Sequence, residues 1–298
     1  MTLLTGLVSI TFRQLSPAEI IGLVKQTTLA SIEWGGDIHV PHGDVKRAAE
    51  VGKMTRESGL VVSAYGSYYG TKNELVFGRV LDTAVALGAP VIRVWAGQKG
   101  SAAASSEDWE RIVAATRQIA DAAAAAGRQI AFEFHGGTLN DTPESCVRLL
   151  QAINHYAVFT YWQPPVGASF DECMAGLKTM LPWINRVHVF HWGPGGTRQP
   201  LSKGAQCWIP YFRLLQSVVT DGYAGIEFVR NDDPRAFLED AETLASWSSP
   251  GSSSPGSPIK GPVKHKKSSR SPKAETMLLL TPTPLASVTF LATVFSIV

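Results

Sequence analysis

Cysteine is scarce in this chain. Its three residues, Cys146, Cys173 and Cys207, form no close-spaced pair and are odd in number, so no disulfide framework is expected and a reducing compartment suits them. A basic surplus is also missing from most of the sequence. The formal charge is +2, but six of the 27 bases and only one of the 25 acids lie past residue 248, which leaves 21 bases against 24 acids before it. A body near −3 has no electrostatic grip for nucleic acid, which argues against a nuclease. Residues 1–12 lack a basic segment followed by a long apolar run, so no secretory signal is expected and a cytoplasmic location follows. Finally, Thr11-Phe12-Arg13-Gln14 stands after the first apolar run where a glycine-rich phosphate loop would be, so a dinucleotide-binding sheet has no fingerprint.

What the sequence does contain is a regular alternation. Eight apolar runs of strand length begin near Gly6, Ala30, Leu60, Pro90, Gln129, Tyr156, Arg186 and Ala224. Between them apolar residues recur with helical period, as in Ile20, Ile21 and Val24 or Val80, Leu81, Ala84, Val85 and Leu87. Ser16-Pro17-Ala18-Glu19 has the capping-box pattern with proline at the first helical position, and Ser105 to Asp108 opens a helix reaching Ala126. Gly59, Gly88, Gly127 and Gly222 are expected to end helices just before strands. Strand starts about every 24 to 39 residues match the length of a βα unit. The expectation is an α/β protein, a single (β/α)8 TIM barrel over residues 1–247, and an open doubly wound sheet is the weaker alternative.

Composition changes after Trp247. Residues 248–276 are rich in Ser, Pro, Gly and Lys with few aliphatic side chains and read as a disordered linker. Residues 277–298 carry no charge, and their length would span a bilayer, with the basic linker on the cytoplasmic side. Pro282, Pro284 and the many Thr and Ser argue instead for an unstructured extension, so a tail anchor is the minor reading and membrane association depends on it.

In such barrels the chemistry sits where strands end at the C-terminal face. The fifth run, Ile130-Ala131-Phe132-Glu133-Phe134-His135, carries two polar groups two residues apart, hence on one side of a strand. A carboxylate buried beside an imidazole needs compensation, which a divalent metal can supply and a Glu-His hydrogen bond can supply more simply. The sixth run brings Gln163, the seventh His188 and His191, and the eighth Glu227. Glu133, Gln163, His188 and Glu227 together offer oxygen and nitrogen but no thiolate, a set suited to one Mn²⁺ ion first and to Mg²⁺, Co²⁺ or Zn²⁺ after it. Taken singly, Gln163 can bond a loop backbone, His188 can be a core histidine, and Glu227 can pair with Arg230 or Arg93.

With Ile32-Glu33-Trp34, Asp37-Ile38-His39, Glu133-Phe134-His135 and the later strand ends in this order, residues 5–247 resemble the xylose isomerase-like barrels. That superfamily of sugar phosphate isomerases and epimerases includes ketose 3-epimerases, hydroxypyruvate isomerase, inosose dehydratase and 3-dehydroshikimate dehydratase. The resemblance implies that Glu133, Gln163, His188 and Glu227 bind the metal, with Glu133 and Glu227 also moving protons. Two positions depart from the pattern. Gln163 stands where the family usually has Asp, which lowers the ligand charge from −3 to −2, and His191 replaces the usual Asp of the strand-seven motif.

Proton removal next to a carbonyl requires a stabilised enediolate, which a Lewis-acidic ion and two opposed carboxylates provide. His135, Arg93 and Arg198 are candidates for holding substrate oxygens, and Trp34, Trp95, Trp162 and Trp192 for walling a sugar's apolar faces. Barrel-rim packing is the alternative for the tryptophans, and an internal salt bridge to Glu33 or Glu133 is the alternative for Arg93. Arg198 and Lys203 lie on the long loop after the seventh strand. Three functions fit: a sugar isomerase or epimerase acting on a ketose, keto acid or polyol; a lyase dehydrating a keto-cyclitol or dehydroshikimate on the same site; and a non-catalytic sugar-binding barrel. A homo-oligomer is compatible with each.

Overall fold

The computed structural model describes residues 3–70, 76–219 and 221–248. Eight strands take the places expected of them: β1 (Leu4–Val8), β2 (Ser31–Gly35), β3 (Val61–Tyr69), β4 (Val91–Val94), β5 (Gln129–Phe132), β6 (Val158–Trp162), β7 (Ile184–Val189) and β8 (Tyr223–Ile226). Each pairs in parallel with its neighbours in chain order, and β8 closes on β1 with Leu4 opposite Tyr223 and Leu7 opposite Ile226. The result is a closed (β/α)8 barrel.

Eight helices alternate with the strands: α1 (Pro17–Val24), α2 (Val45–Glu57), α3 (Phe77–Leu87), α4 (Ser106–Ala125), α5 (Pro143–Ile153), α6 (Phe170–Met180), α7 (Ala205–Val218) and α8 (Pro234–Ser248). Their starts follow local chemistry. Ser16 and Glu19 exchange hydrogen bonds with each other's backbone N–H, as do Ser105 and Asp108, and Ser169 and Glu172. Each such cap satisfies donors that the first helical turn leaves free, a contribution of about 1 kcal/mol. Gly88 caps α3 in the left-handed region at φ 82°, where a side chain would be strained. Gly222 behaves otherwise. Helix α7 already ends at Val218, and a side chain at Gly222 would collide with Leu3 and Val219, so this glycine permits close packing under the barrel.

Side chains divide by direction. Those pointing outward from the strands meet the helices in one large core that includes Ile32, Trp34, Ile92, Ile130, Trp162 and Trp208. Inside the barrel the apolar cluster is small, Ala64, Val91, Ala131 and Tyr161 with Phe159 against it. The remaining interior is polar. Arg93 lies in register with Gly66 on β3 and Ala131 on β5, and His188 with Gly225 on β8. Small residues beside large ones let two long polar side chains extend across the axis.

The linker and tail expected at 248–276 and 277–298 lie outside the described residues, apart from Ser248, which belongs to α8. Among the described residues no helix is long and apolar enough to cross a membrane. One packing test follows from two helical glycines. A methyl at Gly52 of α2 would sit 2.1 Å from the Leu87 carbonyl oxygen, whereas Gly22 of α1 is exposed with nothing within 4 Å. Gly22→Ala should therefore raise stability by about 0.5–1 kcal/mol through helix propensity, and Gly52→Ala should lower it. Thermal melts of the two variants check both signs.

Candidate active site

Glu33, Arg93, Glu133, His188 and Glu227 meet at the C-terminal end of the barrel axis, all buried. Glu33 lies within β2 and Arg93 within β4, while Glu133 follows β5 directly and extends its ladder by donating its N–H to the Val94 carbonyl at 2.9 Å. Asn140 donates to the Glu133 carbonyl at 3.1 Å, and Thr138 donates to Asn140, so the loop after β5 holds this carboxylate's backbone. Glu227 follows β8 in the same way, its N–H bonded to Val189 at 3.0 Å.

Arg93 joins the acids. Its Nε is 3.4 Å from Glu33, and its Nη1 lies 3.3 Å from Glu133 and 3.8 Å from Glu227. The Tyr68 ring covers the guanidinium at 5.0 Å. His188 lies between carboxylates as well: Nδ1 is 3.2 Å from Glu227 and 4.0 Å from Glu133, and Nε2 is 3.5 Å from Glu33. Tyr161 donates its hydroxyl to Glu33 at 2.9 Å and sets its ring edge-on to His188. Gln163 donates its amide N–H to the Phe134 carbonyl at 2.9 Å, which turns its Oε1 toward His188 Nδ1 at 3.2 Å.

These contacts separate the titrations. Burial alone would raise Glu33, but Arg93 and His188 outweigh it and pull the carboxyl down to about 2. Burial would lower His188, yet the charges and hydrogen bonds of Glu227 and Glu33 push it up to about 10. Glu133 goes up, through burial and the nearby Glu227 charge against the pull of Arg93. Burial also acts to raise Glu227, but the His188 charge and hydrogen bond hold it down.

A divalent ion fits the donors present. One ligand atom each from Glu133, His188 and Glu227 lies within 4.8 Å of the others, all three residues being buried. Gln163 Oε1 is the neighbouring fourth oxygen. Glu33 stands opposite, where it can accept the His188 Nε2 proton and fix the tautomer that leaves Nδ1 free for a metal. Charge counting agrees. Three buried carboxylates against one guanidinium leave −2, which either a divalent ion beside neutral His188 or, in part, a protonated His188 offsets.

The other expected residues distribute unevenly. His135 and Trp95 stack at 4.4 Å at the rim, and His135 Nδ1 donates to the Gly136 carbonyl. Trp95 Nε1 is buried without a partner. Arg198 pairs with Asp232 and lies 4.5 Å over the Phe228 ring beside Trp192, in a short hairpin of Trp192–Gly193 and Thr197–Arg198. Lys203 donates to Gln199. Of the candidate wall tryptophans, Trp34 and Trp162 take the packing alternative: each lies one position from an inward residue and so points outward, Trp34 donating to Thr55 of α2 and Trp162 packing on Trp208 and Tyr211 of α7. Arg93 is the cation beside Glu227, in place of Arg230.

Tyr161 has no place among the residues expected from the sequence, and Glu33 enters there as part of the Ile32-Glu33-Trp34 motif and as a partner for Arg93, with no role in the site. Both were findable by the period of two, since Tyr161 precedes Gln163 by two positions and Glu33 is a lone carboxylate inside an apolar strand.

Known proteins share this architecture. The probable 3-DHS dehydratase AsbF of Bacillus anthracis, involved in petrobactin synthesis, superposes with a TM-score of 0.69 at 19% identity, over 82% of this chain and 99% of that one. A xylose isomerase-like TIM barrel protein of Mycobacterium smegmatis in complex with magnesium gives 0.65 at 15% identity, over 83% and 96%. The 3-keto-D-glucoside 4-epimerase YcjR of E. coli gives 0.63 at 18% identity, over 81% and 98%. A search of curated protein sequences finds no match. The sequence pattern of the xylose isomerase-like TIM barrel family matches residues 22–247, most of the chain and all but the first strand of its barrel, and this protein belongs to that family.

Proposed function

We propose that this protein is a divalent-metal-dependent sugar isomerase or epimerase, acting on a ketose, keto acid or polyol through an enediolate. The observation that carries the reading is the pair of buried carboxylates, Glu133 and Glu227, which face one imidazole with a ligand atom of each of the three residues within 4.8 Å of the others. Glu227 takes the proton from the carbon next to the carbonyl, and Glu133 returns one from its own side. Mn²⁺ is the first choice of ion, with Mg²⁺, Co²⁺ and Zn²⁺ as alternatives, held by Glu133, Gln163, His188 and Glu227. When bound it supplies Lewis acidity toward the substrate's carbonyl and adjacent hydroxyl.

Other residues bind and orient. Arg93 holds the carboxylates in place through its ion pairs to Glu33, Glu133 and Glu227. Trp95 and His135, in contact with each other, and Arg198, over the Phe228 ring, are the further candidates for holding substrate. Dehydration is the second reading, favoured by the dehydratase among the structural relatives. It needs the same proton removal, followed by departure of a hydroxyl in place of reprotonation.

Turnover is tested directly by hydrogen exchange. Glu227→Gln should abolish deuterium uptake from D₂O into ketose and keto-cyclitol substrates, with a drop of about 10²-fold or more, while the melting temperature stays near that of the parent. Parental exchange in this variant would remove Glu227 from the reaction, and product analysis of the parent separates epimer, isomer and dehydrated product. Metal binding has its own pH signature. His188, pushed up to about 10, carries a proton at pH 7 that a ligand must release, so Mn²⁺ binding should liberate about one proton and tighten as pH rises toward 10. Calorimetry in buffers of different ionisation enthalpy reads that proton, and a buffer-independent enthalpy would contradict the assignment.

A further inference from the structure

Glu227 sits where β8 loses half of its support. On one side its N–H still reaches Val189 of β7 at 3.0 Å. On the other side β1 has ended at Val8, and the chain has turned into the short helical segment Ser9–Phe12, so no backbone remains to pair with β8 beyond Ile226. Thr11, a buried residue of that segment, fills the gap with its side chain. Its Oγ1 donates to the Ile226 carbonyl at 3.4 Å and accepts from the Phe228 N–H at 3.1 Å, so one hydroxyl clasps the residues on both sides of Glu227.

The clasp holds an unusual conformation. Phe228 has φ +62°, in the left-handed region that residues with side chains seldom adopt. Strained backbone persists only where its surroundings over-determine it, and such points gather at functional sites. Here the determinants are the Thr11 hydroxyl below and, above, Arg198 and Trp192 around the Phe228 ring. Releasing Phe228 to the extended region would turn the peptide after Glu227 and swing its carboxylate away from His188 Nδ1, now 3.2 Å distant.

We propose that Thr11 is a positioning residue for Glu227: its hydroxyl, 216 positions away in sequence, fixes the left-handed Phe228 and thereby the carboxylate's place beside His188 and Glu133. The inference rests on the functional reading above for its consequence in metal binding, but its structural content stands independently of it.

The test uses the full chain with Thr11→Val, which keeps the shape and removes the hydroxyl, and Thr11→Ser, which keeps the hydroxyl. Thr55→Val, whose buried hydroxyl bonds Trp34 in the outer layer, controls for general loss of stability. Thr11→Val should weaken Mn²⁺ binding about 10-fold or more, the range expected when support behind a metal ligand is lost, and Thr11→Ser should return it to near the parental value. Thr55→Val should bind Mn²⁺ like the parent at any temperature where it is folded. A crystal structure of Thr11→Val should show Phe228 outside the left-handed region and Glu227 moved from His188. If Thr11→Val does not fold, Thr11→Ala carries the same comparison. Parental Mn²⁺ affinity in Thr11→Val, or equal losses in the Val and Ser variants, overturns the proposal. If the parent itself binds no Mn²⁺, the metal reading fails and the crystal structure alone decides: an unmoved Phe228 and Glu227 overturn the role of Thr11, and a displaced pair sustains it.

Discussion

The protein's chemistry depends on a charge balance inside the barrel. Glu33, Glu133 and Glu227 are removed from water around one guanidinium, and none of these acids is tolerable there without Arg93 and His188 beside it. Arg93 is shared by the three acids, at 3.4 Å from Glu33, 3.3 Å from Glu133 and 3.8 Å from Glu227, and offsets one of their charges. The residual negative charge pushes His188 up to about 10, so its imidazolium form is favoured beside Glu227 and Glu33. Glu33 faces the other ring nitrogen, Nε2, at 3.5 Å.

The fold supplies this arrangement through alternation along its strands. Inward positions carry the charges, and adjacent inward positions are small. A side chain at Gly66 would come within 2.9 Å of Arg93 Nη2 and 3.2 Å of Glu33 Oε1, so glycine there makes room for the ion pair. Outward positions on the same strands carry Ile32, Trp34, Ile92 and Trp162, which bind the helices to the barrel. Burial of those apolar faces, at about 25 cal/mol per Å², holds the strand ends in place and offsets the cost of a polar interior.

Much of this was legible in the chain. Runs of apolar residues separated by capped helices identify the eight strands, because the periods of two and 3.6 are properties of local geometry. Glu133, Gln163, His188 and Glu227 stand at strand ends, and the register brings them together without further information. Other features needed coordinates. The direction of Trp34 and Trp162 follows from the alternation only once the strand is known to have a polar inner face. The outer faces of β2 and β6 are helix-covered, and that is a tertiary fact. Gly222 looks like a helix stop in sequence but is a packing glycine, because α7 ends earlier. The link from Thr11 to Phe228 has no local signal at all, since barrel closure alone joins the first turn to the last strand.

The most direct measurement of the central claim is a crystal structure grown with Mn²⁺, with anomalous scattering recorded at the manganese edge. One strong peak is expected on the barrel axis, bounded by Glu133, His188 and Glu227 with Gln163 alongside, and Arg93 still paired to Glu33. A structure in which no anomalous density appears between those residues, with Arg93 filling the space among the three carboxylates, would contradict it and leave a barrel whose charges balance without a metal.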